Sequence, residues 1–322
     1  MKRKADPENR SFHLESIYSP WPSCTFGALA VTFLTLKRQP GGLHNFNNAY
    51  RARPHHINVA ITKGNEIDYI VKYSPEYILA IEDNAPSTII HKKPLVIWMG
   101  VDVGGREFNY VIRAFCADES SYLLACGEAG SFDEIIKIAS TKFAIAGSKA
   151  RMSVAAIFID SGFEAKKTVY DLACKYYRKV WPMKGGKHAV PVGVKHFDWG
   201  SNEKRRIELT HYDDSTFKEH MYIDKIQRRE LPGWYLPKNI PQQYRDHFGA
   251  EKLEEKDGKQ EWVRTGANHY ADCEKLLLVA LAKYRSLFVR YRKQVRAAQQ
   301  AAKGEASDTS EPRPRLEVIV ED

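Results

Sequence analysis

The chain has 322 residues, 43% hydrophobic and 28% charged, with a formal net charge of +9; that is enough for one large domain or two modest ones, and the Lys and Arg excess suits a polyanionic partner. Five scattered cysteines, Cys24, Cys116, Cys126, Cys174 and Cys273, form no CxxC pair and no zinc spacing, which excludes a zinc module or disulfide scaffold and reads as a reduced, intracellular chain with buried thiols. The apolar stretch Phe26 to Leu36 is too short to span a bilayer and is not placed as a signal peptide, so no membrane association is expected.

Residues 1–12 are polar and charged, and Thr25 is placed to cap a helix over Phe26–Lys37. Residues 38–93 are broken by Pro40-Gly-Gly, Arg53-Pro-His-His and Asn84-Ala-Pro, so 1–93 reads as an arm or linker with short elements. The ordered pattern starts at Pro94. A strand runs to Val103, Gly104-Gly105 turns the chain, and further strands are predicted over Phe108–Ala117 and Ser121–Gly127. Ser131 and Glu134 form a capping box for a helix reaching about Phe143. A strand ending at Asp160 follows, then an amphipathic helix from about Phe163 to Arg178. Three strands, then helix, strand and helix, is the opening order of a ribonuclease H-like α/β fold, a mixed sheet flanked by helices. Next come a strand at Arg205–Thr210 and a helix at Ser215–Arg229. Glu251–Glu255 and Gln260–Arg264 then flank the turn Lys256-Asp-Gly-Lys259 as a hairpin. The last helix is predicted from about His269 to Ala301, closing a domain over 94–301. Residues 302–322 read as a flexible tail ending in the apolar Leu316-Glu-Val-Ile-Val320.

Three acidic residues stand out. Asp102 closes the run Pro94-Leu-Val-Ile-Trp-Met-Gly-Val-Asp, Asp160 closes Val154-Ala-Ala-Ile-Phe-Ile-Asp, and Asp272 opens the last helix. Two strands ending at carboxylates, crossed by a helix carrying a third, converge like charges on one point. Divalent cations are the usual reason to build such a cluster. The competing reading is three ordinary carboxylates at element ends. Glu128 and Asp213 are weaker candidates as auxiliary ligands, and Glu274 points about 200° around the helix from Asp272.

Several segments resemble the large subunits of tailed-phage DNA-packaging terminases. Phe12-His-Leu-Glu-Ser-Ile-Tyr-Ser-Pro-Trp21 is similar to the stretch that follows the family's ATPase motor. Gly100-Val-Asp-Val103 resembles the first nuclease motif, and Phe158-Ile-Asp-Ser-Gly162 with Thr168-Val-Tyr170 resembles the second. Trp181-Pro-Met-Lys-Gly185 is similar to a Pro-x-Lys-Gly stretch, and Asn268-His-Tyr-Ala-Asp-Cys-Glu274 to the third motif. Two departures are evident. No Gly-x-x-x-x-Gly-Lys-Ser/Thr loop occurs anywhere, and Gly104 stands where the family often has Gln. The resemblance implies a metal-dependent DNA endonuclease in which Asp102, Asp160 and Asp272 bind two Mg²⁺ or Mn²⁺ ions. It also implies double-stranded DNA as substrate and a separate or missing ATPase motor. Portal protein and small terminase subunit would be partners, the C-terminal end would dock on the portal, and the action would take place in the host cytoplasm.

His269, three residues before Asp272, can reach the scissile phosphate or serve as a packing residue. Lys184 is a candidate phosphate contact, and the clusters Lys204-Arg205-Arg206 and Arg228-Arg229 are candidate backbone-tracking residues. Two other readings stay open: another enzyme on this fold, such as a junction resolvase or transposase-like protein, and a non-catalytic DNA- or portal-binding module.

Overall fold

The computed structural model describes residues 14–37, 39–53, 78–82, 85–89, 94–104, 107–145, 149–162, 166–200, 204–228, 230, 232–237, 240–256, 259–294 and 297. The Leu316–Val320 patch and the rest of the predicted tail lie outside these residues, as does Arg229.

Thr25 caps helix α1 (Phe26–Leu36), its side chain accepting from the Ala28 N–H. Helix α2 (Gly42–Tyr50) folds back on α1 through an edge-to-face contact of Phe33 with Phe46. The Pro40-Gly-Gly break permits this: Gly41 has φ +68°, and a Cβ on Gly42 would lie 1.8 Å from the Leu36 carbonyl oxygen. Strands β1 (Ile78–Glu82) and β2 (Ala85–Ile89) form an antiparallel hairpin.

The main sheet begins with an antiparallel meander of β3 (Pro94–Val103), β4 (Phe108–Cys116) and β5 (Ser121–Ala129). Ser131 caps α3 (Phe132–Ala139) by accepting from the Glu134 N–H, while the Glu134 carboxylate accepts from the Gly130 N–H. A small pair, β6 (Phe143–Ala144) and β7 (Arg151–Met152), precedes β8 (Ala156–Asp160), α4 (Lys166–Lys175) and β9 (Val180–Gly186). Strands β10 (Val192–Trp199) and β11 (Arg205–Asp213) follow. Then comes α5 (Asp214–Glu219), which runs into a π-helical segment, His220–Gln227. Strand β12 (Trp234–Tyr235), α6 (Gln242–Gly249), the hairpin β13 (Glu251–Lys256) and β14 (Lys259–Arg264), and α7 (His269–Lys283) complete the body.

The eight strands lie in the order β10-β11-β9-β8-β3-β4-β5-β12. β8 is parallel to β3, and β9 to β8. A three-stranded meander extended on one side by two parallel strands, each reached through a helix, is the ribonuclease H-like connectivity the sequence predicts.

The strand period of two sorts residues between two cores. Ile97, Met99 and Val101 of β3 join Ile157 and Ile159 of β8 on the face covered by α3 and α4. Trp98, Ala156 and Phe158 face α7 on the other side. At the crossing of α7 over β3, an added Cβ on Gly100 would lie 2.3 Å from the Cys273 carbonyl oxygen, so only glycine admits the helix this close. Below the crossing, Arg113 and Glu274, both fully buried, pair at 2.6 Å. Glu274 also accepts from the Tyr244 hydroxyl and the Trp234 indole, tying α7 to β4, α6 and β12. Glu274 is a structural residue on the face away from Asp272.

Several predicted boundaries move. The helix expected to reach Phe143 stops at Ala139, and the one expected over Phe163–Arg178 is described as Lys166–Lys175, with Arg178 left-handed at φ +60°. The helix predicted over Ser215–Arg229 changes pitch at His220. The long last helix breaks at Tyr284, whose ring packs on Trp98 and Phe158, before a further helical segment over 285–294. Lys184 lies inside β9.

Candidate active site

Side-chain parity places the first two carboxylates. Asp102 shares its strand face with Trp98 and Gly100, and Asp160 shares its face with Ala156 and Phe158. The parallel register pairs Gly100 with Phe158 and Val101 with Ile159, which brings Asp102 and Asp160 level on adjacent strands. Helix α7 crosses the same face with Asp272 in its first turn. All three carboxylates line one open cleft of about 370 Å³, together with Asp214, Lys275 and Lys184.

Each carboxylate is held by a donor. His269 Nδ1 donates to Asp102 Oδ2 at 2.6 Å. The Gly162 N–H donates to Asp160 Oδ2 at 3.1 Å, and the Ser161 backbone and hydroxyl both donate to the Met183 carbonyl, fixing the loop after β8 against β9. Lys275 Nζ donates to Asp272 Oδ1 and to Asp214 Oδ1, each at 2.6 Å. The network continues outward. Lys218 bridges Asp214 at 2.9 Å and Glu251 at 2.8 Å, and Glu251 accepts from the Asn268 side-chain amide at the start of α7. Asn268 thus serves the helix start through Glu251 and makes no side-chain cap.

The electrostatics mark a crowded anionic site. Burial pushes the Asp160 carboxyl up to about 6, with Asp102 and then Asp272 adding to the shift and Lys275 opposing it. The hydrogen bond to Asp102 raises the His269 imidazole, outweighing its partial burial. Burial alone would raise Asp214, but Lys275 and Lys218 outweigh it and hold it below the usual carboxylate range. Burial likewise opposes charge on Lys275, yet Tyr212, Asp272 and Asp214 keep its ammonium protonated.

A family model for the terminase large subunit gpA, endonuclease domain, matches residues 9–293. The chain belongs to that family. Among solved structures it is similar to the large terminase nuclease from thermophilic phage G20c, at 10% identity and TM-score 0.38 over 68% of this chain and 97% of that one. It is also similar to that nuclease with bound magnesium, at 10% identity and TM-score 0.37 over 69% and 97%. No curated protein matches it.

Within this terminase nuclease fold, the predicted site residues separate into two groups. Asp102, Asp160, Asp272, His269 and Lys184 come together around the cleft. Lys204, Arg205 and Arg206 do not: they stand at the far end of β11 from Asp213, about 26 Å away along a strand of this length. Arg205 donates to the Cys174 carbonyl and lies over the Tyr177 ring, and Arg228 donates to Asp224. Asp213 caps α5 by accepting from the Thr216 N–H, Glu128 accepts from Gln243, and neither is among the residues lining the cleft. Among the described residues, no three His, Cys, Asp or Glu side chains already stand at metal-ligand spacing. The carboxylates are instead drawn toward His269, Lys275 and the Gly162 N–H. Sequence reasoning missed Asp214 and Lys275. The signal for Lys275 was its position three residues after Asp272 on one helical face; Asp214 depends on the β11–α5 junction and had no local signal.

Proposed function

We propose that this chain is a divalent-metal-dependent endonuclease that cuts concatemeric double-stranded DNA during viral genome packaging. The observation that carries the proposal is the convergence of Asp102, Asp160 and Asp272, from two strands and a helix, on one cleft where the Asp160 carboxyl is raised to about 6 by burial and like charge. A binding module has no need of such a destabilised cluster, whereas a cation relieves it. The donor set fits Mg²⁺ or Mn²⁺, which take hard carboxylate oxygens. Asp102, Asp160 and Asp272 would hold two such ions, which when bound supply water activation and charge stabilisation at the leaving 3′ oxygen.

The chain's own residues do the positioning. His269 fixes the rotamer of Asp102, the Gly162 N–H fixes Asp160, and Lys275 fixes Asp272. Lys184, projecting from β9 at the cleft wall, would take a DNA phosphate. Lys204 and Arg206, exposed at the far end of β11, would add contacts along the duplex flank, with Arg228 and Arg229 as further candidates. ATP hydrolysis would belong to a motor outside residues 1–322, because the sequence contains no phosphate-cradling loop. Portal and small-subunit partners, and action in the host cytoplasm, follow from the same reading. Among the described residues no helix is long and apolar enough to cross a membrane.

Plasmid digestion tests the proposal. Nicking and linearisation are expected with Mg²⁺ or Mn²⁺ and not with EDTA, and are expected to be lost in Asp160→Asn. Full cutting in EDTA or by that variant would overturn it.

A further inference from the structure

We propose that Leu316–Val320, which lies outside the described residues, adds as a further strand to the outer edge of β10, antiparallel to it, with Val318 opposite Val194 and Glu317 opposite Lys195. The inference stands independently of the metal-dependent reading above.

The main sheet ends in an open edge. β10 is its outermost strand, paired with β11 along its whole length, and among the described residues no strand lies on its other side. A long edge presents a row of backbone donors and acceptors on which another segment can build. Apolar surface accompanies it: Val194 is 45% exposed, and Val190, just before the strand, 55%. The opposite edge strand, β12, has only two residues and offers no comparable template.

Complementarity selects the occupant and the register. Leu316, Val318 and Val320 alternate with Glu317 and Ile319. On β10, Val192 and Val194 sit opposite Tyr212 and Thr210, while Gly193 and Lys195 take the other face. One antiparallel register satisfies both faces: Val320 on Val192, Val318 on Val194, Glu317 on Lys195, and Ile319 on Gly193, which has no side chain to oppose it. Apolar and opposite-charge cross-strand pairs stabilise a sheet. A slip of one residue puts Glu317 against Val194 or His196, and a parallel pairing that keeps Val318 on Val194 leaves Lys195 facing Ile319.

The chain also arrives at the correct end. Arg292 donates to the Ala117 carbonyl at the β4–β5 turn. Cys116 lies opposite Pro94, so this turn is at the end of the sheet where β3 begins. Because β8, β9 and β11 run parallel to β3, it is also the end of Arg205 and its partner Trp199. An antiparallel partner of β10 must start there and run toward Val192. From β4 to β10 the sheet order gives five strand spacings, about 24 Å. The roughly 22 residues from 294 to 316 can span up to about 70 Å, enough to cross that width and the length of one strand.

Hydrogen–deuterium exchange of the full chain and of a chain ending at residue 302 tests this. Backbone amides of 192–199 are expected to exchange at least ~10-fold more slowly in the full chain. The difference should persist on dilution, because a tethered segment acts at an effective concentration in the mM range. Lys195→Glu is expected to remove the protection, and Lys195→Glu combined with Glu317→Lys to restore it; both positions are remote from the core, so these variants keep the fold. Equal exchange in the two chains, protection that survives Lys195→Glu, or failure of the double exchange to restore it overturns the proposal. Protection that vanishes on dilution means that a second copy covers the edge, and overturns it as well.

Discussion

Replacing Asp160 with Asn is expected to separate function from stability in opposite directions. The carboxyl is raised from an ordinary 3.8 to about 6 by burial, Asp102 and Asp272. The folded chain therefore binds a proton more tightly than the unfolded chain does, and between about pH 4 and 6 stability falls as pH rises. Above about 6 the metal-free fold bears the whole cost of the ionised group. A shift of this size corresponds to at most about 3 kcal/mol. Part of that would be retained in the variant, because the asparagine oxygen still accepts from the Gly162 N–H. At pH 8 in EDTA, Asp160→Asn is thus expected to unfold roughly 2–8 °C above wild type, at ~2–4 °C per kcal/mol for a domain of this size. Near pH 4 the two should converge. Adding Mn²⁺ should stabilise wild type and leave the variant unchanged, and the variant should not cut DNA. Paired thermal melts at the two pH values measure all of this. A variant that melts below wild type at pH 8, or by the same margin at both pH values, would refute the claim that like charge and burial strain this site.

His269→Gln removes the imidazole that fixes Asp102 and should lower cutting by about 10–100-fold. Because the His269 pKa is raised, its stabilising contribution is complete below the unfolded value near 6.5 and fades as pH rises through the folded one; a stability loss confined to high pH would contradict the pairing. Gly100→Ala forces a Cβ to 2.3 Å from a backbone oxygen and should cost at least ~3 kcal/mol, read as a drop in the urea midpoint; a near-neutral effect would mean that α7 can lift from β3. Lys184→Gln should weaken binding to unrelated duplexes alike and lower the salt slope by about 1, measured by fluorescence anisotropy across a salt series; an unchanged slope would remove Lys184 from the phosphate path.

The sheet's central order was legible because it is written in local patterns. Pro94–Val103 and Val154–Asp160 are apolar runs too short for helices, the Gly104 turn and Ser131 cap are local chemistry, and the crossover order restricts the topology. What escaped was set by distant contacts. Strand β10 interleaves Lys195, His196 and Asp198 with Phe197 and Trp199, which pack on Tyr170, so no clean alternation announces it and pairing with β11 sets it. Helix α6 has a weak apolar pattern and is held by Tyr244 on Glu274, thirty residues away. The last helix reads as continuous through residue 301 because no Gly or Pro interrupts it up to that point. It breaks at Tyr284 because that ring is drawn into the Trp98–Phe158 aromatic cluster, a tertiary effect that overrides propensity.

The same division runs through the site. Asp102 and Asp160 are visible in sequence because a carboxylate ending an apolar strand is a local anomaly, and the period of two then fixes which face it takes. Asp272 is visible because it opens a helix that must cross that face. Lys204, Arg205 and Arg206 look equally suggestive, yet a basic cluster carries no such constraint: strand direction alone decided that it starts β11 while Asp213 ends it beside the cleft. Lys275 is the instructive middle case. Its spacing from Asp272 was legible, but an i,i+3 Asp–Lys pair on a helix ordinarily reads as a solvated surface pair worth a few tenths of a kcal/mol. Only its burial beside the Tyr212 ring, and the arrival of Asp214 from the end of β11, turn that ordinary pair into a fixed cation inside an anionic cleft. A glycine that lets the helix backbone approach β3 lies two residues before Asp102 on the same strand, so the close crossing and the first carboxylate of the cleft are neighbours in the chain.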